Sequence, residues 1–150
     1  MPHSLSDVLV HVIFSTKERR PMIADDLRAR LFGYMGSIVK ERKGIPHIIN
    51  GTKDHVHMLV SIPTTMSVAE MMRFVKGSSS RWVHQEFGKK RGFAWQSGYS
   101  VFSVSRSMFQ QVHRYIARQQ EHHRKVSFKE ELIVFLRKHE IEYDEKYLWL

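Results

Sequence analysis

The chain has 150 residues, 42% of them hydrophobic and 26% charged, a balance that predicts one globular domain over residues 1–150 and excludes a disordered or fibrous chain. It has no cysteine, which excludes disulfides and thiolate metal sites and fits a cytoplasmic protein, and no apolar run nears the ~20 residues of a membrane helix. Lys and Arg total 24 against 15 acidic residues, a formal charge of +9 with histidines neutral, so a polyanion, most often nucleic acid, is the expected partner.

The start, Met1-Pro2-His3-Ser4, lacks the basic and apolar regions of a secretory signal. Val8, Val10, Val12 and Phe14 alternate with Leu9, His11 and Ile13, which predicts a strand apolar on both faces and therefore central. A basic loop, Ser15 to Arg20, follows and is closed by Pro21. Asp25 or Asp26 is a candidate cap for a helix with an apolar stripe of Leu27, Leu31, Tyr34, Met35, Ile38 and Val39, ended at Gly44. Ile45–Ile49 reads as a second strand, Asn50-Gly51 as a turn, and Asp54–Val60 as a third strand. Ser67 and Glu70 form a capping box opening a helix that buries Val68, Met71, Met72, Val75, Trp82 and Val83 and ends near Gly88.

The basic loop Lys89-Lys90-Arg91 leads to a fourth strand at Val101–Ser105. A second capping box, Ser107 to Gln110, opens a helix over about 107–124, and a third, Ser127 to Glu130, opens a last helix ending near His139. The aromatic, acidic tail to Leu150 is expected to pack on the rest of the chain. The order strand-helix-strand-strand-helix-strand predicts an α+β fold, the ferredoxin-like split βαβ antiparallel sheet with helices on one face and extra C-terminal helices. That fold hosts many activities, so function has to be argued from the site.

The third strand carries the most informative pattern. At period two, His55, His57 and Leu59 share one face, and Val56, Met58 and Val60 the other. Two imidazoles at i and i+2 can converge on one ion, although His-x-His alone is a weak signal. In the helix after Ser107, Tyr115 and Gln119 lie at i and i+4 on one face, beside the packing stripe of Phe109, Val112 and Ile116. Taken alone, a tyrosine beside such a stripe reads as a core or rim residue. Here it stands in the most cationic part of the chain, among Arg106, His113, Arg114, Arg118, His122, His123, Arg124 and Lys125, where the phenolate form would be favoured and phosphates attracted.

The pieces combine into one chemistry. His55, His57 and the carboxamide oxygen of Gln119 make a candidate set for Mg²⁺ or Mn²⁺. Such an ion polarises a phosphodiester. Tyr115, one turn away, would attack the phosphorus, leaving a 5′-phosphotyrosine and a free 3′-hydroxyl. Asp54 is open between orienting an imidazole, lying near the metal and closing the hairpin.

His55-Val-His57 resembles the histidine-hydrophobic-histidine (HUH) motif of nucleases and transposases, and Tyr115-Ile-Ala-Arg-Gln119 resembles the Tyr-x-x-x-Gln motif of single-tyrosine HUH transposases of small insertion sequences, the IS-two-hundred-like family. The likeness extends over nearly the whole chain, through Phe14-Ser-Thr-Lys17, Arg19-Arg20-Pro21, Gln96-Ser-Gly-Tyr99, Phe102-Ser-Val-Ser105, His122-His123 and Tyr143 to Trp149. It implies a DNA transposase that cuts and rejoins single-stranded DNA at hairpin-marked element ends with a divalent metal. It further implies an obligate homodimer whose active sites join the histidines of one subunit to the tyrosine helix of the other.

Candidate DNA contacts are Lys17, Arg19, Arg20, Lys89, Lys90, Arg91, Arg106, Arg114, Arg118, Arg124 and Lys125. Trp95, Tyr99 and Phe102 are candidates to stack on bases, with core packing the stronger reading of each. Two alternatives stand beside the transposase: a domesticated relative that binds hairpins without cutting, and an HUH replication initiator or relaxase-type nickase. A binder needs none of Tyr115, His55, His57 and Gln119. Initiators typically carry lysine three residues after the tyrosine, where this chain has Arg118, and relaxases place the tyrosine before the histidines.

Overall fold

The computed structural model describes residues 4–88 and 92–149. Four strands form one antiparallel sheet in the order β2-β3-β1-β4, from β1 (Leu9–Ser15), β2 (Ile45–Gly51), β3 (His55–Ser61) and β4 (Ser100–Ser103). β1 is buried along its whole length, as its two-faced apolar sequence requires. It pairs with β3 in a register that sets Ile13 opposite His57 and Ser15 opposite His55. Residues directly opposite share a face. The sheet therefore has a purely apolar face (Val10, Val12, Phe14, Val56, Met58, Val60) and a mixed one (Leu9, His11, Ile13, His55, His57, Leu59).

The apolar face is covered by α1 (Asp25–Glu41) and α2 (Val68–Phe87), whose Leu27, Leu31, Met35, Val39, Met71, Met72, Val75 and Val83 complete the main core. α2 opens as the capping box predicts, Ser67 Oγ accepting from the Glu70 amide. Trp82 departs from the expectation: it is half-buried and stacks on Tyr34, and Ser79 takes the buried position. Neither Asp25 nor Asp26 caps α1. The capping position is Ala24, and the two acids sit in the first turn, where their charge suits the positive end of the helix dipole. α1 is reversed by Lys43, at φ 69°, rather than by Gly44. Gly44 is required for space, since a Cβ there would meet Val39, Met71 and the Ser61 carbonyl at 2.9–3.0 Å.

The mixed face is covered by α3 (Phe109–Ala117), α4 (Gln119–His122) and α5 (Phe128–Lys138). The capping box at Ser127 is formed, but the one expected at Ser107 is not. Ser107 lies in a 3₁₀ turn, Arg106–Met108, and its hydroxyl bonds to that of Ser105 instead. The tyrosine-bearing helix is also not continuous to 124. It breaks at Arg118 (φ −100°, ψ 17°), so Tyr115 and Gln119 lie on successive short helices. The tail packs back as expected: Trp149 lies against Phe128 and under the Arg19 guanidinium, and Gln96 donates to the Leu148 carbonyl. Among the described residues, no helix is long and apolar enough to cross a membrane.

Candidate active site

The β2–β3 hairpin presents the two histidines, and its turn is not where Asn50-Gly51 suggests. β2 runs through both residues, Asn50 pairing with His57 and Gly51 with Val56, and the chain reverses over Thr52–Asp54. Gly51 is needed because a Cβ there would collide with the His55 carbonyl. With Asn50 inside the strand, its amide projects onto the mixed face and donates to the carbonyls of Ile116 (2.9 Å) and Ala117 (3.3 Å). These are C-terminal carbonyls of α3, which have no partner within the helix. The hairpin thus holds the end of the helix that carries Tyr115 directly over the histidine strand.

His55, His57 and Gln119 are all fully buried and lie together with Tyr115 in a single chain. His55 Nδ1 lies 2.8 Å from the Asp54 carboxylate and 3.0 Å from the Thr52 hydroxyl, while its ring stacks on Phe128 at 4.0 Å. The Asp54 carbonyl accepts from the Thr16 amide, so this residue both orients the imidazole and ties the turn to β1. Burial opposes its charge, but the hydrogen bond and charge of His55, together with the Thr52 hydrogen bond, hold the Asp54 carboxyl below its ordinary pKa. His57 Nδ1 meets His11 Nε2 at 2.8 Å. Burial pushes the His57 imidazole down to about 4 and that of His11 well below its usual value.

At the centre stands a residue that sequence patterning did not single out. Glu131 of α5 is 3% exposed. Its Oε1 accepts from His57 Nε2 (2.9 Å) and His123 Nε2 (3.0 Å), and its Oε2 from Gln119 Nε2 (3.0 Å) and the Tyr115 hydroxyl. Burial opposes its charge, but the bonds from His123 and His57 overcome that and hold the carboxyl well below its ordinary value. The same carboxylate lifts the His123 imidazole against the cost of its burial. A signal did exist in the sequence: Glu131 follows Phe128 by three residues and precedes Phe135 by four, an acid on the apolar stripe of an amphipathic helix.

The expectation that Tyr115 would favour its phenolate is overturned. Burial, the Glu131 charge and the Glu131 hydrogen bond all raise its pKa above the usual value. The cations stand further out. Arg114, Arg118 and Lys125 line a cleft of about 680 Å³ that reaches Tyr115 and His122. Arg19 and Arg124, with Arg28 and Lys53, line a second cleft leading to Asp54 and His123. Arg106 is elsewhere, paired with Asp7 at 2.8–3.0 Å, and Arg20 is paired with Glu18. Lys17 opens the 3₁₀ turn after β1. Lys89, Lys90 and Arg91 lie outside the described residues. Of the candidate stacking aromatics, Trp95 and Phe102 are core residues and Tyr99 is half-buried against the main core.

The donors fit a divalent ion. With Nδ1 facing the Asp54 carboxylate, the His55 ring turns Nε2 inward, the second-sphere arrangement common for metal-bound histidine. There it meets Gln119 Oε1 at 3.1 Å. The Gln119 amide cannot be turned round, because its Nε2 donates to Glu131. In the tautomer that donates from Nδ1 to Asp54, both inward-facing atoms are acceptors, and a shared cation would satisfy both. Ligand atoms of His55, His57, His123 and Glu131 all lie within 4.8 Å of one another.

Comparison with known proteins identifies the family of the chain. A family described as "Transposase IS200 like" matches residues 4–119. The transposase for insertion sequence element IS200 of Salmonella typhimurium is 31% identical over 118 residues, covering 71% of this chain and 74% of that protein, and the Salmonella typhi protein matches equally. Among solved structures, a candidate transposase from Deinococcus radiodurans has a similar fold, with TM-score 0.65 and 22% identity over 79% of this chain and 95% of that one. A REP-associated tyrosine transposase bound to a REP hairpin superposes with TM-score 0.62 and 11% identity, over 84% and 74% of the two chains. The chain belongs to the IS200-like transposase family.

Proposed function

We propose that this transposase cuts and rejoins single-stranded DNA at hairpin-marked element ends, with Tyr115 as nucleophile and His55, His57 and Gln119 as the residues that hold Mg²⁺ or Mn²⁺. The observation that carries this reading is the meeting of those four side chains in one cluster, from elements up to 64 residues apart, beside clefts lined with arginine and lysine. A structural relative bound to a hairpin supports the choice of DNA form. A divalent ion supplies charge that polarises the scissile phosphodiester. The chain's own residues do the rest. Arg114, Arg118 and Lys125 bring the phosphate backbone to Tyr115. The phenol must first leave Glu131, which disfavours its ionisation in the arrangement described. Its oxygen then attacks phosphorus and releases its proton to solvent, the P–O3′ bond breaks, the departing 3′-oxygen takes up a proton as the free hydroxyl, and the 5′-phosphotyrosine conserves the bond for rejoining.

One chain contains all four residues, so we further propose that a complete site needs no exchange of α3 between the two subunits of a homodimer. Incubating the protein with Mg²⁺ and labelled single-stranded hairpin DNA should give a covalent adduct on Tyr115, and Tyr115→Phe should remove it without loss of fold. Hairpin binding with no adduct from the unaltered protein would leave only the non-catalytic binder.

A further inference from the structure

Glu131 lies beyond the residues that the family match covers, yet His57, Tyr115, Gln119 and His123 all hydrogen-bond to it. Among the described residues, its potentially cationic partners are His55, His57, His122 and His123, with no lysine or arginine paired to it. A buried carboxylate is costly unless a cation offsets it. Four imidazole nitrogens stand 2.9–3.7 Å from this one carboxylate. The ligand atoms of His55, His57, His123 and Glu131 converge within 4.8 Å of one another, a spacing that suits donors sharing a single ion.

We propose that Glu131 is itself a metal ligand, so that the centre is a two-histidine, one-carboxylate, one-carboxamide set rather than a neutral one, and that it takes up Mn²⁺ in preference to Mg²⁺. This inference rests on the metal-dependent reading above and extends it to a residue outside the family's motifs. The preference follows from the donors. Mg²⁺ favours oxygen ligands and retains its waters, whereas Mn²⁺ accepts carboxylate and carbonyl oxygen together with imidazole nitrogen. A role restricted to holding the Tyr115 hydroxyl would need an acceptor oxygen at this position and no charge.

Glu131→Gln separates the two roles, since it keeps the size and an acceptor for Tyr115 and removes the charge. Mn²⁺ binding is measured on the full chain without DNA, by loss of the free-ion electron paramagnetic resonance signal. The unaltered protein should bind, Glu131→Gln should bind at least about tenfold more weakly, and His57→Ala should be similarly impaired. Glu131→Gln within twofold of the unaltered protein, with His57→Ala impaired, overturns the inference and leaves the metal-dependent transposase standing. Failure of the unaltered protein to bind either ion overturns both. A second measurement does not depend on any variant folding: with glutamate labelled by ¹³C at the side-chain carboxylate, bound Mn²⁺ should show a strong ¹³C hyperfine coupling. Glu131 is the sole glutamate among the clustered donor residues, so absence of that coupling in the Mn²⁺-loaded protein also refutes its ligation.

Discussion

Asn50 offers a test of how the tyrosine helix is held. Its amide donates to the carbonyls of Ile116 and Ala117 at 2.9 and 3.3 Å, and its carbonyl oxygen receives a weaker contact from Gln120 at 3.4 Å. Asn50→Ala removes two bonds to helix-end carbonyls that have no intrahelical partner, at a net ~0.5–1.5 kcal/mol each for the stronger contacts. The longer bond is worth less, so ~1–2 kcal/mol is expected, a fall in Tm of roughly 3–6 °C for a chain of this size. Asn50→Asp is the sharper change. It is nearly isosteric and equally at home in a turn, but it sets a carboxylate against two carbonyl oxygens and should destabilise more than alanine does. Urea unfolding at pH 7 measures both. If Asn50 served only to turn the hairpin, Asp would be tolerated, and equal stability of Asn50→Asp and the unaltered protein would refute the clamp. Since the clamp positions Tyr115 over the histidines, covalent adduct formation should fall in both variants at temperatures where each remains folded.

His55→Ala or His57→Ala, and EDTA treatment of the unaltered protein, should abolish the adduct while leaving hairpin affinity within about twofold; cleavage that survives EDTA would make the histidine pair structural. The two clefts carry three and four cationic side chains, so if all seven meet phosphates, affinity for single strands should fall with salt at a log–log slope of ~5, and a slope near zero would remove DNA from the reading. The metal-free protein should lose stability as pH falls from 6.5 toward 4, because the unfolded chain takes up a proton that His57, held at about 4, refuses. The effect is at most ~3 kcal/mol, and raised His123 opposes it; unfolding in EDTA at pH 6.5 and 4.5 should show a smaller drop for His57→Gln, and equal drops would refute the assignment. Tyr115→Phe co-expressed with His57→Ala should give no adduct from verified heterodimers if each site is built within one chain, whereas recovered cleavage would show that α3 is exchanged.

The sheet and its first two helices were legible because their residues serve one purpose each. Strand alternation placed His55 and His57 on the face opposite Val56 and Met58, and the capping boxes at Ser67 and Ser127 were read correctly because their bonds are local. Legibility failed where a residue with a good local role was used over a longer distance. Asn50-Gly51 has the composition of a turn, but Asn50 is held in β2 by its bonds to α3 and Gly51 by the approach of the His55 backbone. Ser107 begins a sequence that suits a cap, yet it lies inside the 3₁₀ turn Arg106–Met108 and the helix starts two residues later.

Glu131 was missed for a related reason. An acid in the first turn of a helix is accounted for by the helix dipole, and Glu130 already fills the capping box. Glu131 is one residue further on, rotated by about 100° toward the side that carries Phe128, Leu132 and Phe135. A dipole effect needs no burial, and a solvated acid would have served it equally well. Placing a carboxylate on the buried side has a desolvation cost that only a partner on another element can offset. Such an acid on an apolar stripe is thus a sequence-level sign that something cationic or hydrogen-donating faces it. In this chain the facing elements are the histidine strand and the break between α3 and α4. The same logic applies to His11, whose imidazole lies on the mixed face of a strand buried throughout, where it meets His57. The polar residues on the mixed face of β1 and β3 and the acid on α5 form two halves of one requirement, and each half was visible only as an exception to its own local pattern.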